Sequence, residues 1–155
     1  MPVWIVEVFG SRELNLLFWS VTASTSPFWI LMLFFPKSGM TRFFCRPWIA
    51  PPLLAIVYVY LLYLAEDLTG LPKVKGVEMS SVRRFWGHPI LFIALWMHRM
   101  AMDLFVGIVM FRVGRYRLRM VSIELWLTWI LGPVGMIVFA LRYWFAEAFG
   151  SKRGP

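Results

Sequence analysis

An apolar run over residues 89–111 carries His98, Arg99 and Asp103 inside it, and no other stretch so narrows what this chain can fold into. A helix of roughly 20 apolar residues crosses the hydrocarbon core of a bilayer, so the run is long enough to span one. A charge at that depth costs roughly 2.5–3.5 kcal/mol on insertion scales, and a sequence that tolerates it must compensate locally. Arg99 and Asp103 stand four apart, which places them on one helical face within pairing reach, and Trp96 shares that face. His98 points about 100° away from Arg99 and about 140° away from Asp103 at 3.6 residues per turn. Arg before Asp is the weaker order in soluble helices. We therefore read Arg99 and Asp103 as an intramembrane ion pair that relieves the cost of its own burial.

Three further apolar runs, over 14–35, 49–65 and 121–145, complete the pattern. Sixty per cent of the chain is hydrophobic and only 15% charged, against about 45–50% apolar in a soluble domain. The expected fold is an all-α integral membrane bundle of four transmembrane helices, forming a single transmembrane domain over 1–155. The first run holds Ser20, Thr22, Ser24, Thr25, Ser26 and Pro27. Neighbouring helices and side-chain oxygens satisfy such interruptions, so a kinked packing helix is expected. Pro47, Pro51 and Pro52 mark the start of the second span, where a missing N–H is no loss. Between the second and third spans, Met79, Val82, Phe85 and Trp86 share one face beside Arg83 and Arg84, which predicts a short interfacial helix over 76–86. Gly132-Pro133-Val134-Gly135 falls in the middle of the fourth run and predicts a kink there. Arg142, near its end, is expected to reach the headgroups.

The formal charge of +8 sits in the short connections rather than in a nucleic-acid-binding patch. Lys37, Arg42 and Arg46 in the first connection, and Arg112, Arg115, Arg117 and Arg119 in the third, have no acid among them. Two crossings separate these loops, so both fall on one side, where they are expected to bind the headgroups of acidic lipid such as cardiolipin. The single cysteine, Cys45, excludes an internal disulfide and a cysteine-pair metal site. His98 has no accompanying ligand set, so no metal is expected. Residues 1–11 carry no small-residue cleavage pattern, and no cleavable presequence is expected.

Several pieces recur in a known order and spacing: Phe35-Pro36-Lys37 with Thr41; Tyr58-Val59-Tyr60-Leu61-Leu62-Tyr63; Trp96, His98 and Asp103-Leu104-Phe105; and Gly132-Pro133-Val134-Gly135. Over about residues 31–143 the chain resembles the neoxanthin-synthase-like family of small four-span membrane proteins, also called the abscisic-acid-deficient-four family. The resemblance implies that fold. It also implies a carotenoid ligand, since plant members are required to convert violaxanthin to neoxanthin.

Two functions of different classes follow. As an enzyme, the protein would open a carotenoid epoxide to an allenic alcohol, with an acid at the epoxide oxygen and a base at a nearby carbon. His98 and Asp103 are the family-matching candidates, with Arg99 as an electrostatic aid. Their angular separation requires a second helix to complete such a site. As a non-catalytic accessory subunit, the fold would serve a large energy-transducing membrane complex and bind other membrane subunits and lipid, without a cofactor. A mitochondrial inner-membrane respiratory or ATP synthase complex is expected ahead of a thylakoid one. Nine tryptophans and fourteen phenylalanines, together with the missing presequence, favour this second reading.

Overall fold

Hydroxyl groups that would be stranded in hydrocarbon are bonded back into the first helix, α1 (Ser11–Phe34). Thr22 Oγ1 donates to the Phe18 carbonyl at 2.8 Å, and Ser24 Oγ donates to that of Val21 at 2.6 Å. The structure is a computed structural model that describes residues 10–69, 83, 87–117 and 121–150, without the side chains at 68, 69, 115–117, 149 and 150. The expected interfacial helix over 76–86 lies outside the described residues apart from Arg83. Among the described residues there are helices and no strands.

Pro36 ends α1, because the residue before a proline is driven out of helical geometry. The basic connection after it is not a plain loop, as the sequence had suggested. It holds a short helix, α2 (Gly39–Phe44), whose N-cap Ser38 accepts from the Met40 amide at 3.2 Å. Buried Thr41 on α2 points its hydroxyl at the Phe35 and Leu31 carbonyls, 2.6 and 3.1 Å away. These acceptors lie at the end of α1, where the helix itself supplies no donor. Then comes α3 (Ala50–Thr69), with Pro51 and Pro52 in its first turn. Pro89 opens α4 (Pro89–Arg117), and His88 caps it by accepting the Leu91 amide on Nδ1 at 3.2 Å.

Three helices are long and apolar enough to cross a membrane: Ser11–Phe34, Ala50–Asp67 and Pro89–Gly114. The chain is an integral membrane protein. It divides into two units, Met1–Ser24 with Leu53–Met100 and Thr25–Pro52 with Ala101–Pro155. In the first unit Val21, Leu54, Leu61, Ile90, Ala94 and Met97 form a core. In the second, Trp29, Met32, Leu104, Ile108, Phe111 and Leu125 do so, with Trp29 stacked on Trp129 at 6.1 Å.

The fourth run departs from expectation. It is not one kinked helix over 121–145 but two helices, α5 (Ser122–Leu131) and α6 (Pro133–Gly150). At the junction Gly132 has φ +56° and ψ −106°, a conformation that L side chains rarely adopt. Beyond it, a Cβ on Gly135 would lie 2.3 Å from the Thr128 nitrogen and 2.5 Å from the Glu124 carbonyl oxygen. Only glycine permits that contact. In one continuous helix residues 124 and 142 would stand about 27 Å apart at 1.5 Å per residue. Instead Arg142 Nη1 donates to Glu124 Oε1. The chain has therefore folded back on itself.

The hairpin lies along the second half of α4. Gly114 sits against Val121 and Phe139, while the tip residue Gly132 sits against the Asp103 carboxylate. The separations match, since 114 − 103 and 132 − 121 both equal 11. Ten residues of α5 reach about 15 Å, half of a hydrocarbon core of about 30 Å. α6 then returns toward the end from which α5 started.

This arrangement sets the sidedness of the C-terminal segment. With Cys45 replaced by serine, Lys37→Cys and Ala148→Cys should react with a membrane-impermeant maleimide from the same face of sealed vesicles. Labelling of the two from opposite faces would refute the fold-back.

Candidate functional site

The chemistry-bearing residues fall into three places, one in the first unit and two in the second. In the first unit, Trp96 Nε1 donates to Thr22 Oγ1 at 3.0 Å, and the Thr22 hydroxyl in turn donates a hydrogen bond to the Phe18 carbonyl. The indole is thereby fixed, with Phe18 and Phe92 against it at ring separations of 5.6 and 6.4 Å. The Arg99 guanidinium lies over the Trp96 ring, 5.4 Å from its centroid. A cation over an aromatic face is worth about 0.5–2 kcal/mol, rising as water is excluded. Tyr58 is half-buried, and its ring meets the His98 imidazole at 5.2 Å. His98 itself is exposed, on the face of α4 that also presents Met102, Phe105 and Val109.

Asp103 belongs to the second unit and is half-buried. Its carboxylate oxygens lie 3.3 and 3.4 Å from where a Cβ on Gly132 would stand, at the point where α6 begins. The positive end of the α6 dipole favours an anion there. So His98 meets Tyr58 and Asp103 meets the hairpin tip, each within its own unit. Arg99 and Asp103 belong to different units.

The sequence reading missed the ion pair inside the hairpin. Glu124 is 1% exposed and binds Arg142, which keeps 41% of its side chain exposed. Glu124 Oε2 is buried without a hydrogen-bond partner. One turn on, buried Thr128 donates to the Glu124 carbonyl at 2.7 Å and lies 3.7 Å from Met110 Sδ. The two glycines that flank Pro133 were the available signal, since Gly-Pro combinations mark turns as readily as kinks.

The third place is a cavity of about 660 Å³. Of the seven basic residues expected to contact lipid, it gathers Arg42, Arg46 and Arg112, beside Trp48 and Phe111. Lys37 is exposed and does not line it. The side chains of Arg115 and Arg117, and the whole of Arg119, lie outside the described residues. Cys45 also borders the cavity, and burial pushes its thiol up to about 11. It is a thiol, not a thiolate, at neutral pH. Among the described residues no group of three or more His, Cys, Asp or Glu side chains could hold a metal ion.

A family model described as ABA DEFICIENT 4-like matches residues 16–139. No curated protein and no solved structure matches the chain. The matched segment includes His98, Arg99, Asp103, the hairpin tip and the three cavity arginines.

Two measurements follow from these contacts. Arg142→Ala leaves the Glu124 carboxylate buried without its cation, and should lower stability by about 1–3 kcal/mol in detergent unfolding. Changing Glu124→Gln in the same chain should recover part of that loss. His88 is the second case: burial lowers its pKa, outweighing a backbone hydrogen bond that pulls the other way. A folded-state value below the unfolded one means that the neutral ring is the form that caps. The cap's contribution is complete above about pH 6.5 and is lost as pH falls from there through the lower folded-state value. Exchange of the Leu91 amide, corrected for intrinsic rate, should rise over that window, and His88→Asn should flatten the dependence.

Proposed function

Because the chain belongs to the ABA DEFICIENT 4-like family and carries three helices able to cross a bilayer, we propose that it works as a non-catalytic subunit of a larger membrane complex. One observation carries this reading. His98 and Arg99 are both exposed, within one turn of the midpoint of the apolar segment Pro89–Gly114. The exposed neighbours of His98 on that face are apolar. Lipid tails offer an imidazole nothing to bond, whereas another protein's helix can supply a hydrogen-bond partner.

In this reading the face is a subunit contact, and Arg99 and Asp103 form the intramembrane ion pair expected from their spacing. The assembly is of the energy-transducing class, in the mitochondrial inner membrane ahead of the thylakoid, with cardiolipin at the basic loops. The three crossing helices and the hairpin then make up the four-part bundle.

Family membership favours a second reading, a carotenoid epoxide-opening enzyme or xanthophyll binder, with His98 as the acid–base group, Asp103 as its counterpart and Arg99 as an electrostatic aid. The angle of about 140° between His98 and Asp103 around their helix weighs against catalysis.

Mild detergent extraction of the tagged protein separates the two. Recovery in stoichiometric amounts with other membrane subunits, and cross-linking to one of them through a photoreactive residue at position 98, is the expected result. Recovery of the isolated chain would overturn the subunit reading, and a xanthophyll bound to that chain would establish the other.

A further inference from the structure

The 660 Å³ cavity lies entirely in the second unit, between α2, the turn leading into α3 and the C-terminal part of α4. Arg42, Arg46 and Arg112 line it, and among the described residues no carboxylate does. The shortage of acids extends along the chain, with none between Glu13 and Glu66 or between Asp103 and Glu124. Cations gathered in a hollow repel one another until an anion joins them.

Two of the three guanidinium groups are already oriented. Arg112 lies over the Trp48 ring at 5.2 Å from its centroid, and Arg46 lies over Phe43 at 5.4 Å. Arg46 Nε also donates to the Arg42 carbonyl at 3.3 Å. Stacking occupies the face of a guanidinium and leaves its edge, a fork of N–H donors, to receive a phosphate.

The depth of the cavity points to the source of that phosphate. The apolar segment of α4 ends at Gly114 and that of α3 begins at Ala50, so Arg112 and Trp48 stand within a turn of the ends of crossing helices. Trp48 is 63% exposed, as an aromatic ring at the headgroup level is. Met40, Phe43 and Phe44 on α2 are exposed as well and give acyl chains an apolar surface. The volume is that of a small-molecule site, roughly 300–1,000 Å³, and leaves room for more than a phosphate alone.

We propose that this cavity binds the phosphate of an acidic glycerophospholipid, with Arg42, Arg46 and Arg112 around the headgroup and the acyl chains laid along Phe43 and Phe44. The site deepens the assignment of acidic lipid to the basic loops, on which it rests, and needs no partner subunit. Inorganic phosphate has the same charge chemistry, and the experiment distinguishes the two sources.

The full chain is reconstituted in phosphatidylcholine nanodiscs containing a graded fraction of phosphatidate, and retained lipid is read by native mass spectrometry. Phosphatidate should be retained at least tenfold over phosphatidylcholine. The double variant Arg42→Gln with Arg112→Gln should lose that preference, and Arg12→Gln, in the first turn of α1 and outside the cavity, should keep it. A millimolar excess of inorganic phosphate should leave the lipid bound. Equal retention of the two lipids, or an unchanged preference in a folded double variant, would overturn the site, and displacement by inorganic phosphate would overturn its assignment to lipid. If the double variant does not fold, Arg112→Gln alone should weaken retention at least threefold, and no change in that variant would overturn the site equally.

Discussion

A polar group inside hydrocarbon has no water to bond, and most of the tertiary detail in this protein can be traced to that constraint. Thr22 and Ser24 donate hydrogen bonds to carbonyls of their own helix, and Thr22 then has an oxygen lone pair left for the Trp96 indole. Thr41 serves the carbonyls at the end of α1, and in doing so ties the short helix α2 to the helix before it. Thr128 bonds the turn in which Glu124 sits, and Glu124 in turn takes the Arg142 guanidinium. Each of these residues looks dispensable in an apolar run. Each is placed by the group it satisfies.

The hairpin follows from the same constraint combined with the freedom of glycine. Reversing the chain in mid-layer breaks the ladder of helical hydrogen bonds, which a bilayer tolerates only where the backbone is covered by protein. Gly132 supplies the turn, Gly135 lets the returning helix approach to backbone contact, and α4 covers the tip with Asp103. A larger residue at position 135 would separate α5 from α6 and with them Glu124 from Arg142. Asp103, read at first as a partner for a residue one turn away on its own helix, also meets the start of α6, a neighbour that depends on the reversal.

Polar chemistry in the chain is therefore of two kinds. In the second unit the Glu124–Arg142 pair is turned inward, with the carboxylate sealed from solvent and the arginine 41% exposed. In the first unit His98 and Arg99 face outward, resting on Tyr58 and Trp96. An inward pair makes the fold self-sufficient, whereas an outward imidazole among apolar side chains makes sense only beside something that can bond it. The basic cavity belongs to the outward kind too, with three cations and, among the described residues, no carboxylate in its lining.

The amino-acid order alone determined that this is a helical membrane protein, because hydropathy, run length and proline position act locally and need no partner. It also carried the family resemblance, through pieces that lie within the matched segment, and it singled out seven basic residues, Arg42, Arg46 and Arg112 among them, by the absence of nearby acids. What it left open was which basic residues share a hollow, and it gave a bend at Gly132-Pro133-Val134-Gly135 where the chain reverses. A kink and a reversal need the same residues, and they differ only in whether a second helix is there to be packed against. The partners of Asp103, Glu124 and Arg142 could be decided only once the chain had closed on itself, since a contact between residues 18 apart in sequence depends on the path taken between them.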